Sequence, residues 1–147
     1  MELLIQMLDP DLRTPSYAHL GDAGLDLQST IELVLEPRGG RGVIPTGISI
    51  ALPAATAGLI VPRSGLAARH GITCVNAPGL IDEGYRGEIQ VVLSNSDPIL
   101  PYTIRRGDRI AQLVIVRVES PNIRLVDKGK KLPETTRSDG GFGSTGR

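Results

Sequence analysis

Apolar residues alternate with polar ones in short runs along this chain. In residues 31–36, Ile31, Leu33 and Leu35 fall on one face and Glu32 and Glu36 on the other, the period of a half-buried strand. Short β-branched runs follow at residues 47–52, 59–61, 72–75 and 89–93, with Pro45, Pro53, Gly58, Pro78 and Pro98 as turn signals. Residues 110–118 are apolar on both faces for much of their length. Their Val and Ile content favours a strand buried on both sides over a buried helix. Only Ser64–His70 reads as a helix, about two turns long and ended by Gly71. Many short strands separated by Gly and Pro turns, with no internal repeat, predict an all-β sandwich or jelly roll with one short helix.

The pattern stops near the C-terminus. Residues 128–147 are rich in Gly, Ser and Thr, and their only large apolar side chains are Leu132 and Phe142. The expected organisation is therefore one β domain over residues 1–127 and a flexible arm over residues 128–147. The arm reads either as a solvated terminus or as a lid that stacks Phe142, flanked by glycines, on a planar ligand.

Composition narrows the class. The chain has 18 Gly and 11 Pro in 147 residues, which argues against long helices. The 16 Lys and Arg balance the 16 Asp and Glu, so the chain lacks the basic field that binds nucleic acid or an anionic membrane. Tyr17, Tyr85, Tyr102 and Phe142 are its aromatics, so the core must be aliphatic. The lone Cys74 excludes an intrachain disulfide and a four-cysteine zinc site. Glu2 and Asp9-Pro10 disagree with a signal peptide, and no run approaches the ~20 apolar residues of a membrane span. The expectation is a soluble protein of the cytoplasm.

Candidate chemistry sits in five segments. DAGLDL (22–27) has two carboxylates, which in isolation read best as surface acids near a turn; if Leu25 and Leu27 face a core, Asp26 faces away from it. PRSGLA (62–67) joins a strand to the short helix; Arg63 and Ser64 suit an anion, and Ser64 also suits a helix cap. NAPGLIDEGYRGEI (76–89) looks like a hairpin whose main chain could read the edge of a base. Within it Asp82 is either a turn former or a general base on water. Tyr85 is a packing residue or a sugar platform. RRGDRIAQL (105–113) feeds the long strand, and Gln112, the amide inside the apolar run, must find a neighbouring loop or a ligand. GGFGSTG (140–146) has no Gly-Lys-Ser/Thr, so it is not a Walker A loop.

Taken together and in order, DAGLDL, PRSGLA, NAPGLIDEGYRG, RGDRIAQL and RSDGGFGSTG resemble the five motifs of the trimeric deoxyuridine triphosphatases (dUTPases). Ser138 stands where that family often has Gly. The resemblance implies a β-clip-like jelly roll and Mg2+-dependent hydrolysis of dUTP to dUMP and pyrophosphate. That reaction limits uracil incorporation into DNA and supplies dUMP for thymidylate synthesis. It also implies a homotrimer with active sites shared between subunits. Carried onto this sequence, Asp82 is the base and Asp26 holds the metal through water. Arg63, Ser64 and Gly65 embrace the phosphates, and Gln112 contacts the α-phosphate. Asn76 and the backbone around Gly79, Leu80 and Ile81 read uracil. Tyr85 lies under the deoxyribose, and Gln90 joins the binding set. From the arm, Arg137, Gly143, Ser144 and Thr145 serve the phosphates and Phe142 stacks on uracil. Two rivals fit less well. A dCTP deaminase would carry a catalytic Glu where this chain has Val92, and zinc-dependent deamination lacks its Cys pair. A non-catalytic jelly-roll module would not need Asp82, Gln112 and the arm residues.

Overall fold

The longest apolar runs become the interior strands of two sheets. A computed structural model describes residues 1–136, 138 and 139. In chain order the elements are β1 (Leu4–Met7), β2 (Gly24–Gln28), β3 (Leu33–Leu35), β4 (Gly40–Ala51), β5 (Thr56–Pro62), α1 (Ser64–His70), β6 (Ile72–Cys74), β7 (Gly79–Ile81), β8 (Glu88–Asn95), β9 (Tyr102–Ile104) and β10 (Arg109–Arg117). One sheet has the order β1-β4-β8-β6, the second β2-β10-β5-β7, and β3 pairs with β9 in a small third sheet. All pairings are antiparallel. Leu25, Leu27, Ile60 and Leu113 from the second sheet join Ile44, Ile48, Ile89, Val91 and Leu93 from the first in one aliphatic core. This is the expected jelly-roll type of all-β fold with one short helix.

The helix lies where the sequence places it. Gly71 closes it in the left-handed conformation at φ 64°, where its N–H donates to the carbonyls of Ala67 and Leu66. Its N-cap is Arg63, which makes no side-chain cap bond, so Ser64 is the first helical residue and not the cap. Cys74 is buried at 4% exposure, and burial pushes its thiol up to about 11. Asn95 is fully buried, and its amide donates to the carbonyls of Leu35 and Leu100 at 3.0 and 2.8 Å while its oxygen accepts the Asp97 N–H. It ties the small sheet to β8 with no polar atom unpaired.

Four expectations need correction. The strand expected at residues 31–36 begins only at Leu33, and Ile31 is 36% exposed. The Ser29 hydroxyl bonds both the N–H and the carbonyl of Ile31, which turns the chain there. Pro45 is not a turn signal: β4 runs straight through it from Gly40. Its register on β8 shifts between Pro45, opposite Gln90, and Ser49, opposite Glu88. Proline, having no N–H to donate, is tolerated at such a bulge, and Gly47 takes φ 69° within it. The bulge inserts two extra residues, an even number, so Ile44, Ile48 and Ile50 all keep facing the core. Residues 76–89 are not a hairpin. β7 pairs with β5 in one sheet and β8 with β4 and β6 in the other, so the segment crosses between sheets. Finally, within a single chain β10 is fully buried on one face only: Ala111 and Leu113 face the core, whereas Val114 and Val116 on the other face are half-buried.

Thr46 repairs the ladder at the bulge. It is 3% exposed and its hydroxyl donates to the Ile89 carbonyl at 2.6 Å. Thr46→Val keeps the shape but removes that donor from a buried carbonyl. A stability loss of about 1–2 kcal/mol is expected in denaturant unfolding. An unchanged midpoint would show that the carbonyl finds another partner.

Candidate active site

The second sheet presents a polar row on its outer face. Antiparallel register sets Gln112 directly opposite Asp26 on β2 and Val61 on β5. Side chains facing each other across a ladder share a face, so all three point away from the core that Leu25, Leu27 and Leu113 fill. The sequence expectation for Asp26 is met in orientation. Its carboxylate is 16% exposed and held at both oxygens: Arg63 Nε donates to Oδ1 at 3.0 Å and Arg109 Nη1 to Oδ2 at 3.1 Å. Arg63 also reaches the Arg109 carbonyl at 3.3 Å. Asp26 is thus a bracketed carboxylate and not a surface acid near a turn. The amide of Gln112 makes no hydrogen bond to the described residues and is half-buried beside that pair, with its side chain lying over Gly24.

Asp26 and Arg109 line a cavity of about 720 Å3, walled by residues 11–16 of the N-terminal segment and by residues 106–108. Asp9 fastens that wall. It pairs with the Arg106 guanidinium, whose second nitrogen lies 2.8 Å from Oδ1, and Arg106 holds the Asp9 carboxyl below the usual carboxylate range. Arg106 also donates to the Thr30 carbonyl at 3.1 Å.

A second, smaller cleft of about 250 Å3 gathers Asn76, Gly79, Leu80, Ile81, Asp82, Tyr85 and Gln90, with Ile60 and Glu88. Gly79 sits opposite Ile60, and a Cβ there would come 3.2 Å from Ile60 Cβ and 3.3 Å from the Asn76 amide nitrogen. Leu80, one residue on, points outward and is 62% exposed. The loop after β7 is pinned at several points. Tyr85 N–H donates to the Asp82 carbonyl at 3.0 Å, closing a turn. Arg86 donates to the carbonyls of Glu83 and Tyr85 at 2.7 and 2.8 Å. The Glu83 carboxylate accepts the Ala55 N–H at 2.8 Å. The Tyr85 hydroxyl donates to the Glu88 carbonyl at 2.9 Å, and the Glu88 carboxylate accepts the Gly47 N–H at 2.8 Å. Asp82 lies exposed on this rigid loop, and its carboxylate accepts no hydrogen bond from the described residues. It is free to take one from water.

The structure therefore brings the expected residues together in two groups. Asp26 and Gln112 share one face of the second sheet, with Arg63 bound to Asp26, while the group from Asn76 to Gln90 lines the smaller cleft. The two cavities have no lining residue in common. Ser64 is exposed at the start of α1 and Gly65 follows it, with the Arg69 guanidinium lying where a side chain at Gly65 would be. Arg137, Phe142, Gly143, Ser144 and Thr145 lie outside the described residues. Sequence reading missed Arg109, whose bond to Asp26 spans 83 residues, and Glu88, whose carbonyl anchors Tyr85. The signal for Arg109 was its place at the mouth of the long strand, just after the charged turn.

Among the described residues no group of three or more His, Cys, Asp or Glu could hold a metal ion. Both Asp26 oxygens already accept from guanidinium groups, so this donor set suits an ion held through water and by a ligand's own oxygens. Mg2+ is commonly held in that way. No helix among the described residues is long and apolar enough to cross a membrane.

The dUTPase family model matches residues 11–146. A deoxyuridine 5'-triphosphate nucleotidohydrolase of Rhodococcus erythropolis is 54% identical over 146 residues, 99% of this chain and 87% of the relative. The enzyme of the same name from Corynebacterium efficiens is 59% identical over 140 residues, 95% of this chain and 75% of the relative. Among solved structures, the Staphylococcus bacteriophage 80alpha dUTPase with dUpNHpp superposes with a TM-score of 0.85 at 29% identity, covering 99% of each chain. A mutant dUTPase from phage phi11 of S. aureus, described for its coordination of a structural Mg(II) ion, gives 0.79 at 27% identity over 88% of this chain and 99% of that one.

The bracketed carboxylate generates a stability prediction. Asp26→Asn leaves the half-buried Arg63 and the exposed Arg109 guanidinium groups with no counter-charge. A loss of about 1–2 kcal/mol is expected, nearly all of it from the Arg63 pair because solvent screens Arg109, and it is read as a lower Tm. Inorganic phosphate should recover part of the loss by binding the freed arginines. A Tm equal to wild type would mean that the two ion pairs contribute nothing net.

Proposed function

This chain belongs to the dUTPase family and hydrolyses dUTP to dUMP and pyrophosphate, and we propose that it does so in the cytoplasm, as a Mg2+-dependent homotrimer whose subunits share each active site. The observation that carries the shared-site reading is that Asp82 lines the smaller cleft, whereas Asp26, with Arg63 bound to it, lies at a cavity that shares no lining residue with that cleft. In this reading the base and the phosphate-binding residues of one site come from different copies. A second observation supports association. Register aligns Val114 with Leu59 and Leu59 with Leu80 across the outer face of the second sheet, an aliphatic row that the described residues cover only in part. Beyond β10, Ile123 and Leu125 are 93% and 86% exposed. Contact with further copies would remove that apolar surface from water.

In this reading Asp82 is the general base. It takes the proton of a water whose oxygen bonds to the α-phosphorus, while the bond from that phosphorus to the bridging oxygen breaks and pyrophosphate leaves. Such chemistry depends mainly on positioning and charge neutralisation. Arg63, Ser64 and Gly65 receive the phosphates and Gln112 donates to the α-phosphate. Asn76 and the backbone from Gly79 to Asp82 read the uracil edge, with Leu80, Ile81 and Gln90 beside them. Tyr85 lies under the deoxyribose, where a 2′-hydroxyl would collide. When bound, Mg2+ would neutralise charge on the triphosphate, with Asp26 holding it through water. The arm of residues 128–147 closes over the site with Arg137, Gly143, Ser144 and Thr145 on the phosphates and Phe142 on the base. No nucleic acid or membrane takes part. Val92, where a dCTP deaminase would need a carboxylate, lies in an aliphatic row with Val43, which speaks against deamination.

Two experiments test this reading. Asp82→Asn should keep dUTP-analogue binding and lose turnover by ~10²–10⁴-fold, the usual scale for a general base. Near-full activity would remove Asp82 from the role. Mixing Asp82→Asn chains with chains truncated after Ser138 should then restore part of the activity, because some mixed sites combine an intact base with an intact arm. No recovery after proven subunit exchange would refute the shared site.

A further inference from the structure

Within the loop that carries Tyr85, one residue outside the expected site set bounds the space that the ring occupies. A Cβ built on Gly87 would sit 2.7 Å from Tyr85 Cζ and 3.1 Å from Cε2, and closer still to the hydroxyl oxygen. These are the three nearest atoms, and all belong to one ring. Gly87 is not among the glycines with positive φ, so its backbone conformation is open to any residue. What demands glycine at 87 is therefore the space taken by Tyr85. The hydroxyl end of the ring lies against Gly87, and the 2.9 Å bond from that hydroxyl to the Glu88 carbonyl holds it there. Glu88 is in turn held to the β4 bulge by its carboxylate, and the neighbouring Ile89 carbonyl by Thr46.

We infer that Gly87 is a specificity-determining position of this enzyme, acting through Tyr85: its missing side chain leaves room for the hydroxyl end of the ring to reach the Glu88 carbonyl, and that seated ring is what rejects a ribose. The inference rests on the reading of Tyr85 as the sugar platform. The three atoms nearest a methyl group at 87 all belong to the Tyr85 side chain. Because Tyr85 is 43% exposed, the ring can answer by swinging outward rather than by distorting the loop. Swinging out breaks the bond to Glu88 and vacates the space where a 2′-hydroxyl would otherwise collide. Rejecting an added hydroxyl by shape alone is a modest effect that depends on a rigid wall, so small displacements of that wall matter.

The test measures kcat/KM for dUTP, UTP and dTTP in the wild type, Gly87→Ala, Tyr85→Phe, Tyr85→Ala and the Gly87→Ala/Tyr85→Ala double variant. Gly87→Ala should lower the dUTP-over-UTP ratio by about tenfold or more while leaving the dUTP-over-dTTP ratio near wild type. In the Tyr85→Ala background Gly87→Ala should add nothing to the loss, since its effect passes through the ring. Tyr85→Phe keeps the ring, loses the bond to Glu88 and should lower the ratio by a smaller factor. If Tyr85→Ala relaxes the ratio and Gly87→Ala does not, this inference falls and the reading of Tyr85 stands. If Tyr85→Ala itself leaves the ratio intact, both fall. Should Gly87→Ala not fold, Tyr85→Phe decides, and an unchanged ratio there overturns the anchored ring.

Discussion

Strand β10 hydrogen-bonds to β2 along one edge and to β5 along the other, so Gln112 is held between Asp26 and Val61 while Ala111 and Leu113 are held against the core. The alternation of side chains makes the two outcomes inseparable. A slip of one residue would carry Leu113 to the outer face and Gln112 into the aliphatic core, where its amide would lack partners. The same register brings the end of β5 beside the start of β10, which lets Arg63 and Arg109 reach Asp26 from opposite sides. Core packing thus specifies the polar row: the large buried residues choose the register, and the register places the chemistry.

The smaller cleft is built on a different principle. Its loop carries no large buried side chain and is held instead by hydrogen bonds to fixed main-chain groups. Glu83 reaches Ala55, Arg86 closes the loop on itself, and Glu88 fastens its far end to Gly47 in the β4 bulge. Such a loop can be rigid while remaining exposed, which suits a surface that must meet water and a ligand. The bulge serves both ends: it accommodates Pro45 without flipping the core face of β4, and it supplies the N–H that Glu88 accepts.

Much of this was legible in the sequence because it depends on local alternation. The runs holding Leu59, Ile72, Ile89 and Ile110 became strands, and Leu25 and Leu27 turned inward as their spacing implied. The dUTPase resemblance lay in five short motifs whose order and wording are written in the chain itself. What failed was non-local or conformational. Pro45 reads as a break because proline lacks an N–H, yet a bulge excuses that lack. Residues 76–89 read as a hairpin because two turn signals flank a short apolar run, but partner choice belongs to distant strands. Ile31 followed the alternation on paper and lost it to the Ser29 hydroxyl. The bond between Arg109 and Asp26 crosses 83 residues, and no local pattern announces it.

Cys74 ends β6 two residues before Asn76, so the chain's single thiol lies next to the smaller cleft without opening into it. Burial pushes its thiol up to about 11, so the thiol keeps its proton at neutral pH. The thiolate is the form that attacks peroxides, electrophiles and mixed disulfides, and burial also denies those reagents an approach. Burial therefore disfavours oxidation at this residue, and the neighbouring cleft, whose lining holds no cysteine, is left without a thiol to oxidise.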